Sequence, residues 1–260
     1  MITIIINSQK EKNQLALIED GKLTEYYEDE MEKTRKEGNI YIGIVKDIVK
    51  GMQSAFVDIG CEKNSFIHLK DIMPKIDETK EKIDNNIDIT KVIKPNQKLL
   101  VQVKKDSTEK KGARVSTHIN LPGKYIALMP NVDIITISQK IEDKKEQERL
   151  IKLVKENLSK GNGAVIRTSA KGKNEEIIKD IKKVEEKWEN IIKTSVDPSQ
   201  QKPELLYKSE DLVEKMLIDL ADKKIDEIIV NSEKDAKKME QYKKENEELK
   251  NTKIIIENTK

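Results

Sequence analysis

One cysteine, Cys61, stands in 260 residues, which excludes an internal disulfide framework and a zinc site built from several thiolates, and agrees with a reducing cytoplasm. An excess of one charge is missing as well. The 50 basic residues face 48 acidic ones for a net charge of +2, so the chain is no nucleic-acid polycation and any basic binding face must be local. Long apolar runs are lacking: the opening MITIIINSQKEK has neither the basic flank, the length nor the cleavage site of a signal peptide, and no other run approaches a membrane span. A cytoplasmic protein without a membrane span is expected. What is present suffices for cores: 38% of residues are charged, but 36% are hydrophobic and rich in Ile, Leu and Val, over a length that allows two or three modules.

The segments ITIIINS and QLALIEDGKLTEYYEDE read as strands, the second broken by a turn at Asp20 to Lys22. From Asn39 to Gly60, and on through SFIHL, KLLVQVKKD and GARVSTHI, short strands alternate with glycine-bearing turns, the pattern of a small β-barrel. Between them PKIDETKEKIDNNIDITKVIKPN, charged and poor in apolar residues, is expected to be an insertion loop. From GKYIALMP the pattern changes to strand, then helix over DKKEQERLIKLVKENLSKGNG, then the strand AVIRT. Apolar residues from Ile177 to Ile192 then recur at helical spacing behind Asn174, which completes an α/β module. Past the linker SVDPSQQKP, helix, strand, helix and strand alternate without strand partners nearby in sequence. The N-terminal strands lack a helical cover, so the two ends are expected to form one sheet with the middle inserted between them.

Two stretches can carry chemistry. In GAVIRTSAKGK an apolar strand ends in Arg167 and Thr168, followed by the small residues Ser169, Ala170 and Gly172. A guanidinium fork, a hydroxyl and closely approaching backbone N–H groups suit an anion, while a surface arginine in a solvated turn is the alternative from these letters alone. In GMQSAFVDIGCEKNSFIHLKDI, Phe56 and Phe66 are the only two phenylalanines of the chain. They are either core residues or, on a barrel face, stacking platforms for unpaired bases. From Lys91 to Lys124 nine basic residues face only Asp106 and Glu109, whereas from Glu210 to Lys250 acids outnumber bases. A locally basic barrel in a near-neutral chain is the footprint of a single-strand groove. The acid-rich runs EDKKEQE and KENEELK read as solvated helix faces.

AFVDIG followed by FIHL resembles the S1 family of RNA-binding OB-fold barrels, which implies an RNA face lined by Phe56, Phe66 and His68. Gln53 departs from the aromatic that many S1 barrels carry there. With GNIYIGIVKDIVKGMQSAFVDIG, EKKGARVSTHINLPGKYIALMP, AVIRTSAKGK and KKVEEKWENI in this order and spacing, nearly the whole chain resembles the ribonuclease E/G family. The resemblance implies an α+β, multi-subdomain fold: an S1/OB-fold β-barrel (36–117) inserted into a split RNase H-like α/β subdomain (1–35 and 203–260), plus an α/β 5′-sensor subdomain (118–202). It further implies that Arg167, Thr168 and a backbone N–H near Ala127 bind the 5′-terminal phosphate of RNA, and that Lys111 of KKGARVST contacts RNA. Where the family often reads isoleucine-serine-arginine-arginine, this chain has Ile137-Ser138-Gln139-Lys140, and Gln139 supplies no charge.

Family catalysis resides in a further DNase I-like domain whose paired aspartates hold Mg²⁺, and the opening strand here ends on Asn7 where a metal-binding aspartate would be needed for an RNase H-like site. The expectation is therefore no catalytic residue, no metal site and no bound cofactor in these residues, with Mg²⁺ belonging to the catalytic domain. The expected role is the recognition part of a Mg-dependent endoribonuclease in RNA processing and decay, its partner single-stranded RNA with a 5′-monophosphate end. A free-standing, non-catalytic RNA-binding regulator is the alternative, and the sequence leaves the oligomeric state open.

Overall fold

Alternating isoleucines make the first strand: in β1 (Ile2–Ser8) Ile4 and Ile6 are buried and Ile5 is half-buried. Strands β2 (Lys12–Glu19) and β3 (Lys22–Glu30) follow, joined by Asp20 and Gly21 at φ of 50° and 76°. Positive φ at both central residues is what a two-residue hairpin requires, so the DGK turn is a hairpin turn. The structure, a computed structural model, describes residues 1–9, 12–30, 35–72, 88–195, 202–220, 223–246 and 249–257. It divides into two compact units, Met1–Arg35 with Glu210–Lys260, and Lys36–Ser209.

In the second unit β4 (Ile40–Val49), β5 (Ser54–Asp58) and β6 (Ser65–His68) form an antiparallel meander. After the one-turn helix α1 (Ile89–Val92) come β7 (Lys98–Lys105) and β8 (Arg114–Ser116). Strand β6 pairs in parallel with β8, β8 with β7, and β7 with β4, which closes a five-stranded barrel. Closure leaves these strands no open edge. Inside lie Val45, Ala55, Val57, Ile67, Val101 and Val115. The insertion departs from the loop expected of it. Residues 73–87 lie outside the described residues, but Asp88 caps α1 by accepting the Thr90 N–H, and Ile89 and Ile93 enter the barrel core. Gln53, at φ 47°, explains its own departure from an aromatic: its amide donates to the Lys50 carbonyl (3.0 Å) and accepts the Ile89 N–H (2.9 Å), fastening the end of the insertion.

The same unit continues with β9 (Leu121–Pro122), β10 (Ile126–Met129), β11 (Ile135–Ile137), helix α2 (Lys144–Asn157), β12 (Gly163–Ile166) and helix α3 (Glu175–Ser195). The sheet order is β11-β12-β10-β9. Ile126, Leu128, Ala164 and Ile166 share a core with Leu150 and Val154 of α2 and with Ile177, Ile181 and Val184 of α3. Strand β13 (Glu204–Tyr207) then pairs antiparallel with β4, so residues 203–209, expected in the last segment of the chain, stay with the barrel's unit. Four residues of mixed polarity carry too little pattern to name their partner strand.

The first unit resumes with helix α4 (Leu212–Asp219), opened by a capping box of Asp211 and Glu214, then β14 (Glu227–Val230), helix α5 (Glu233–Glu245) capped by Ser232, and β15 (Lys253–Ile256). Its sheet order is β15-β14-β1-β2-β3, parallel from β1 through β14 to β15 and antiparallel from β1 through β2 to β3. Met216, Leu217 and Met239 pack with Ile4, Ile6, Leu15 and Leu17. The two ends of the chain thus build one mixed sheet with helical cover, as the lack of local strand partners led one to expect. Among the described residues no helix is long and apolar enough to cross a membrane.

Candidate nucleic-acid interface

Phe56 and Phe66 face each other across β5 and β6, their ring centroids 6.3 Å apart and their planes at 69°. Ala55 and Val57 point into the barrel, so strand alternation turns Phe56 outward, where it is 39% exposed. That excludes the core alternative for Phe56; Phe66 is half-buried beside it. His68 lies two residues further along β6, and its Nδ1 accepts the Lys70 N–H at 3.1 Å, which leaves Nε2 as the ring's donor. Lys111 is exposed near the tip of the β7–β8 connection, where Thr108 and Lys111 exchange bonds of 2.8 and 3.1 Å. The adjacent Gly112 is required there, because a Cβ would run into the Asn64 carbonyl. The close approach lets the Phe66 N–H donate to the Ala113 carbonyl at 2.7 Å and brings the Lys111 segment alongside the aromatic strand.

Arg167 follows the last residue of β12. Its N–H donates to the Tyr125 carbonyl (2.8 Å) and its Nη1 to the Gly123 carbonyl (3.4 Å). The Thr168 hydroxyl shares a 2.9 Å hydrogen bond with the Ser138 hydroxyl, which draws the chain after β11, including Gln139 and Lys140, towards the turn. Ala127 stands in β10 opposite Val165, both half-buried, and alternation places Arg167 on their side of the sheet. The structure therefore gathers Arg167, Thr168, Ser138 and Ala127 at one end of one sheet.

Two carboxylates that sequence reasoning missed hold this end in place. Asp180, 7% exposed in the second turn of α3, accepts the backbone N–H groups of Lys124 (3.1 Å), Tyr125 (2.8 Å) and Ile126 (3.1 Å). Gly123 leaves room for it, since a Cβ there would come within 2.5 Å of the Asp180 Oδ2. The signal was legible: Asp180 interrupts the apolar stripe of Ile177, Ile181 and Val184, where a buried charge must find partners. Glu146 of α2 accepts from Arg149 (2.7 Å) and from the Gly172 N–H (2.8 Å), and these two, the arginine first, hold its carboxyl down at about 2. Arg149 also donates to the Lys173 carbonyl (3.3 Å) and to Asn174. EDKKEQE is thus more than a solvated face, for its Glu146 pins the loop that follows Thr168.

Residues 34–118 match the model of the S1 RNA binding domain, and residues 120–260 match that of the ribonuclease E/G family. The chain belongs to the ribonuclease E/G family. Ribonuclease G of Escherichia coli (strain K12) is 35% identical over 233 residues, 88% of this chain and 47% of that protein. Ribonuclease E of Nostoc sp. (strain PCC 7120) is 36% identical over 208 residues, 79% of this chain and 29% of that protein. Ribonuclease G of Haemophilus influenzae is 32% identical over 236 residues, with coverages of 89% and 48%. This ribonuclease E/G chain spans about half the length, or less, of these curated relatives.

In this member of the ribonuclease E/G family the end of β1 does not fit a Mg²⁺ site. Asn7 donates to Gln14 (2.9 Å) and accepts from Asn231 (2.6 Å), while the Ser8 N–H donates to Asn231 (2.9 Å). These amides satisfy one another across β1, β2 and the end of β14, and they bring no carboxylate to balance a divalent charge. Among the described residues no group of three or more His, Cys, Asp or Glu is placed to hold a metal ion.

Proposed function

We propose that this chain is the RNA-recognising part of a Mg²⁺-dependent endoribonuclease, in which the barrel holds single-stranded RNA and the turn after β12 takes its 5′-monophosphate. The observation that carries the reading is the convergence of the Arg167 guanidinium segment and the Thr168 hydroxyl at the tip of β12, in a family chain whose S1 barrel turns Phe56 and Phe66 outward. Arg167 supplies charge and a donor fork and Thr168 a hydroxyl, and the neighbouring strand near Ala127 a backbone N–H. Asp180 and Glu146 fix the two backbone segments around them, so little ordering is left for the moment of binding. Gln139 leaves one family arginine position uncharged, so either the phosphate is held more weakly or the adjacent Lys140 takes over part of that charge. Fixing the 5′ end sets the register of the strand across the barrel and makes its delivery to a cleavage site effectively intramolecular. The cleavage step and its Mg²⁺ are assigned to no residue of this chain.

The test is titration of a short single-stranded RNA bearing a 5′-monophosphate, and of its 5′-hydroxyl twin, against wild type and Arg167→Ala. Wild type should prefer the phosphate about tenfold, the worth of one charge-assisted pair, and Arg167→Ala should bind both RNAs alike. Equal binding of both RNAs by wild type would overturn the phosphate site and leave the barrel's grip standing.

A further inference from the structure

The outer face of the barrel does not stop at its phenylalanines. Strand register sets Phe56 opposite Phe66, Phe66 opposite Arg114, and Arg114 opposite Lys105, one row across β5, β6, β8 and β7. Neighbouring strands lie ~4.8 Å apart, so a strand of RNA leaving the Phe66 ring meets the Arg114 guanidinium as its next planar support. Arg114 is held by a two-point pairing with Asp71, at 2.9 to 3.2 Å, while its side chain remains 56% exposed.

Behind this pair opens a cavity of about 210 Å³, lined by Asp71, Arg114, Ser116 and His118 together with the apolar Met129 and Val132. One water needs only ~10–15 Å³, so the space has room for a guest much larger than a water. Its walls are fixed from within: Ser116 Oγ donates to the Asp71 carbonyl (3.1 Å) and accepts the His118 N–H (3.1 Å). Ile119, Met129 and Val132 give the cavity an apolar wall and the rest of its lining is polar, which suits a planar ligand with a polar edge. Lys104 and Arg114 bring positive charge to the lining, but Lys104 Nζ donates to Gln102 (2.6 Å) and Arg114 is paired with Asp71, whose carboxylate would repel a phosphate.

The geometry points to a nucleobase site: the cavity takes one base of the RNA strand that leaves the Phe56–Phe66 platform, stacked against Arg114 with its edge towards Ser116 and His118. The inference rests on reading the barrel face as an RNA platform, and it adds a position that the aromatic pair does not supply. Asn120 also lines the cavity and is exposed, and its backbone N–H and carbonyl bond Gln102 whatever its side chain. A tryptophan there closes the cavity without entering the core.

The experiment uses a 5′-hydroxyl single-stranded RNA of the minimal length that binds, and a series in which one base at a time is made abasic. Each is titrated by fluorescence anisotropy against wild type, Phe56→Ala, Arg114→Ala and Asn120→Trp. In wild type one abasic position outside those stacked on the platform should weaken binding about fivefold or more, the effect of losing one stacked base. Arg114→Ala and Asn120→Trp should bind intact RNA as weakly as wild type binds that abasic RNA, and should ignore the lesion. Retention of the wild-type lesion profile by both variants overturns the cavity site. If Phe56→Ala binds as wild type does, the platform itself fails; if it weakens binding while both cavity variants match wild type, the platform stands and the cavity alone is lost.

Discussion

The barrel face and the turn after β12 present their ligand groups in opposite ways. On the barrel the groups are side chains standing outside a closed core, so Phe56 can be removed while Ala55 and Val57 stay packed as they are. At the turn the groups sit beside backbone whose position is set by a carboxylate buried in another element: Asp180 accepts three hydrogen bonds from the N–H groups of residues 124–126, and the Tyr125 carbonyl in turn accepts the Arg167 N–H. A platform of the first kind can be altered one residue at a time with no cost to folding. A site of the second kind binds function and stability together, because the group that places the donors also fills a core position.

The largest expected effect falls on the second kind. Asp180→Ala should lower the unfolding free energy by about 3–5 kcal/mol in urea titration, since two buried N–H groups and one part-buried one lose their carboxylate acceptor; an unchanged midpoint would dissolve the contrast. Gly123→Ala should cost about 2–3 kcal/mol, because the added Cβ would stand 2.5 Å from the Asp180 Oδ2 and 2.8 Å from the Ile126 carbonyl. In the Asp180→Ala background its cost should shrink, and strict additivity of the two would show that they act separately. Phe56→Ala tests the other side: single-stranded RNA should bind about 1–2 kcal/mol more weakly while the thermal midpoint holds, and a fall in the midpoint would place Phe56 in the core after all. The smallest effect concerns Glu146. Its carboxyl is lowered from 4.5 to about 2, so its contribution is complete above 4.5 and fades as the pH falls towards 2. Glu146→Gln should flatten the loss of stability across that window, and an identical slope in both proteins would show the pinned loop to be unlinked to folding.

What could be read beforehand followed from period and punctuation. Isoleucine alternation in β1, the Asp20–Gly21 turn and the apolar stripe of α3 each state their element locally, and the lack of local partners for the terminal strands announced the shared sheet. Phe56, Lys111, Arg167 and Thr168 could be named because strand ends and motif likeness fix their neighbours. The rest depends on contacts remote in sequence. Ile89 and Ile93 were drowned by the charges around them, although a pair four apart behind the cap Asp88 is a core signature. Strand β13 is too short to declare its partner. Asp180 betrays its burial by interrupting the apolar stripe of α3, but its partners, like the Gly172 N–H bound by Glu146 in a run that reads as a solvated face, lie more than 20 residues away and have no local signal.

The pairing of β1 with β14 joins residues about 224 positions apart along the chain. At roughly 5–20 residues per second of synthesis, one edge of β1 waits about 10–45 s after leaving the ribosome before its parallel neighbour exists. During that wait the β1–β3 meander is a nascent sheet with an apolar face and no helices to cover it, while the barrel between the two segments can close on its own strands. The terminal sheet is therefore the part of the molecule that cannot be completed until synthesis nears the end of β14 and β15, and its yield should depend most on chaperones and on the pace of translation.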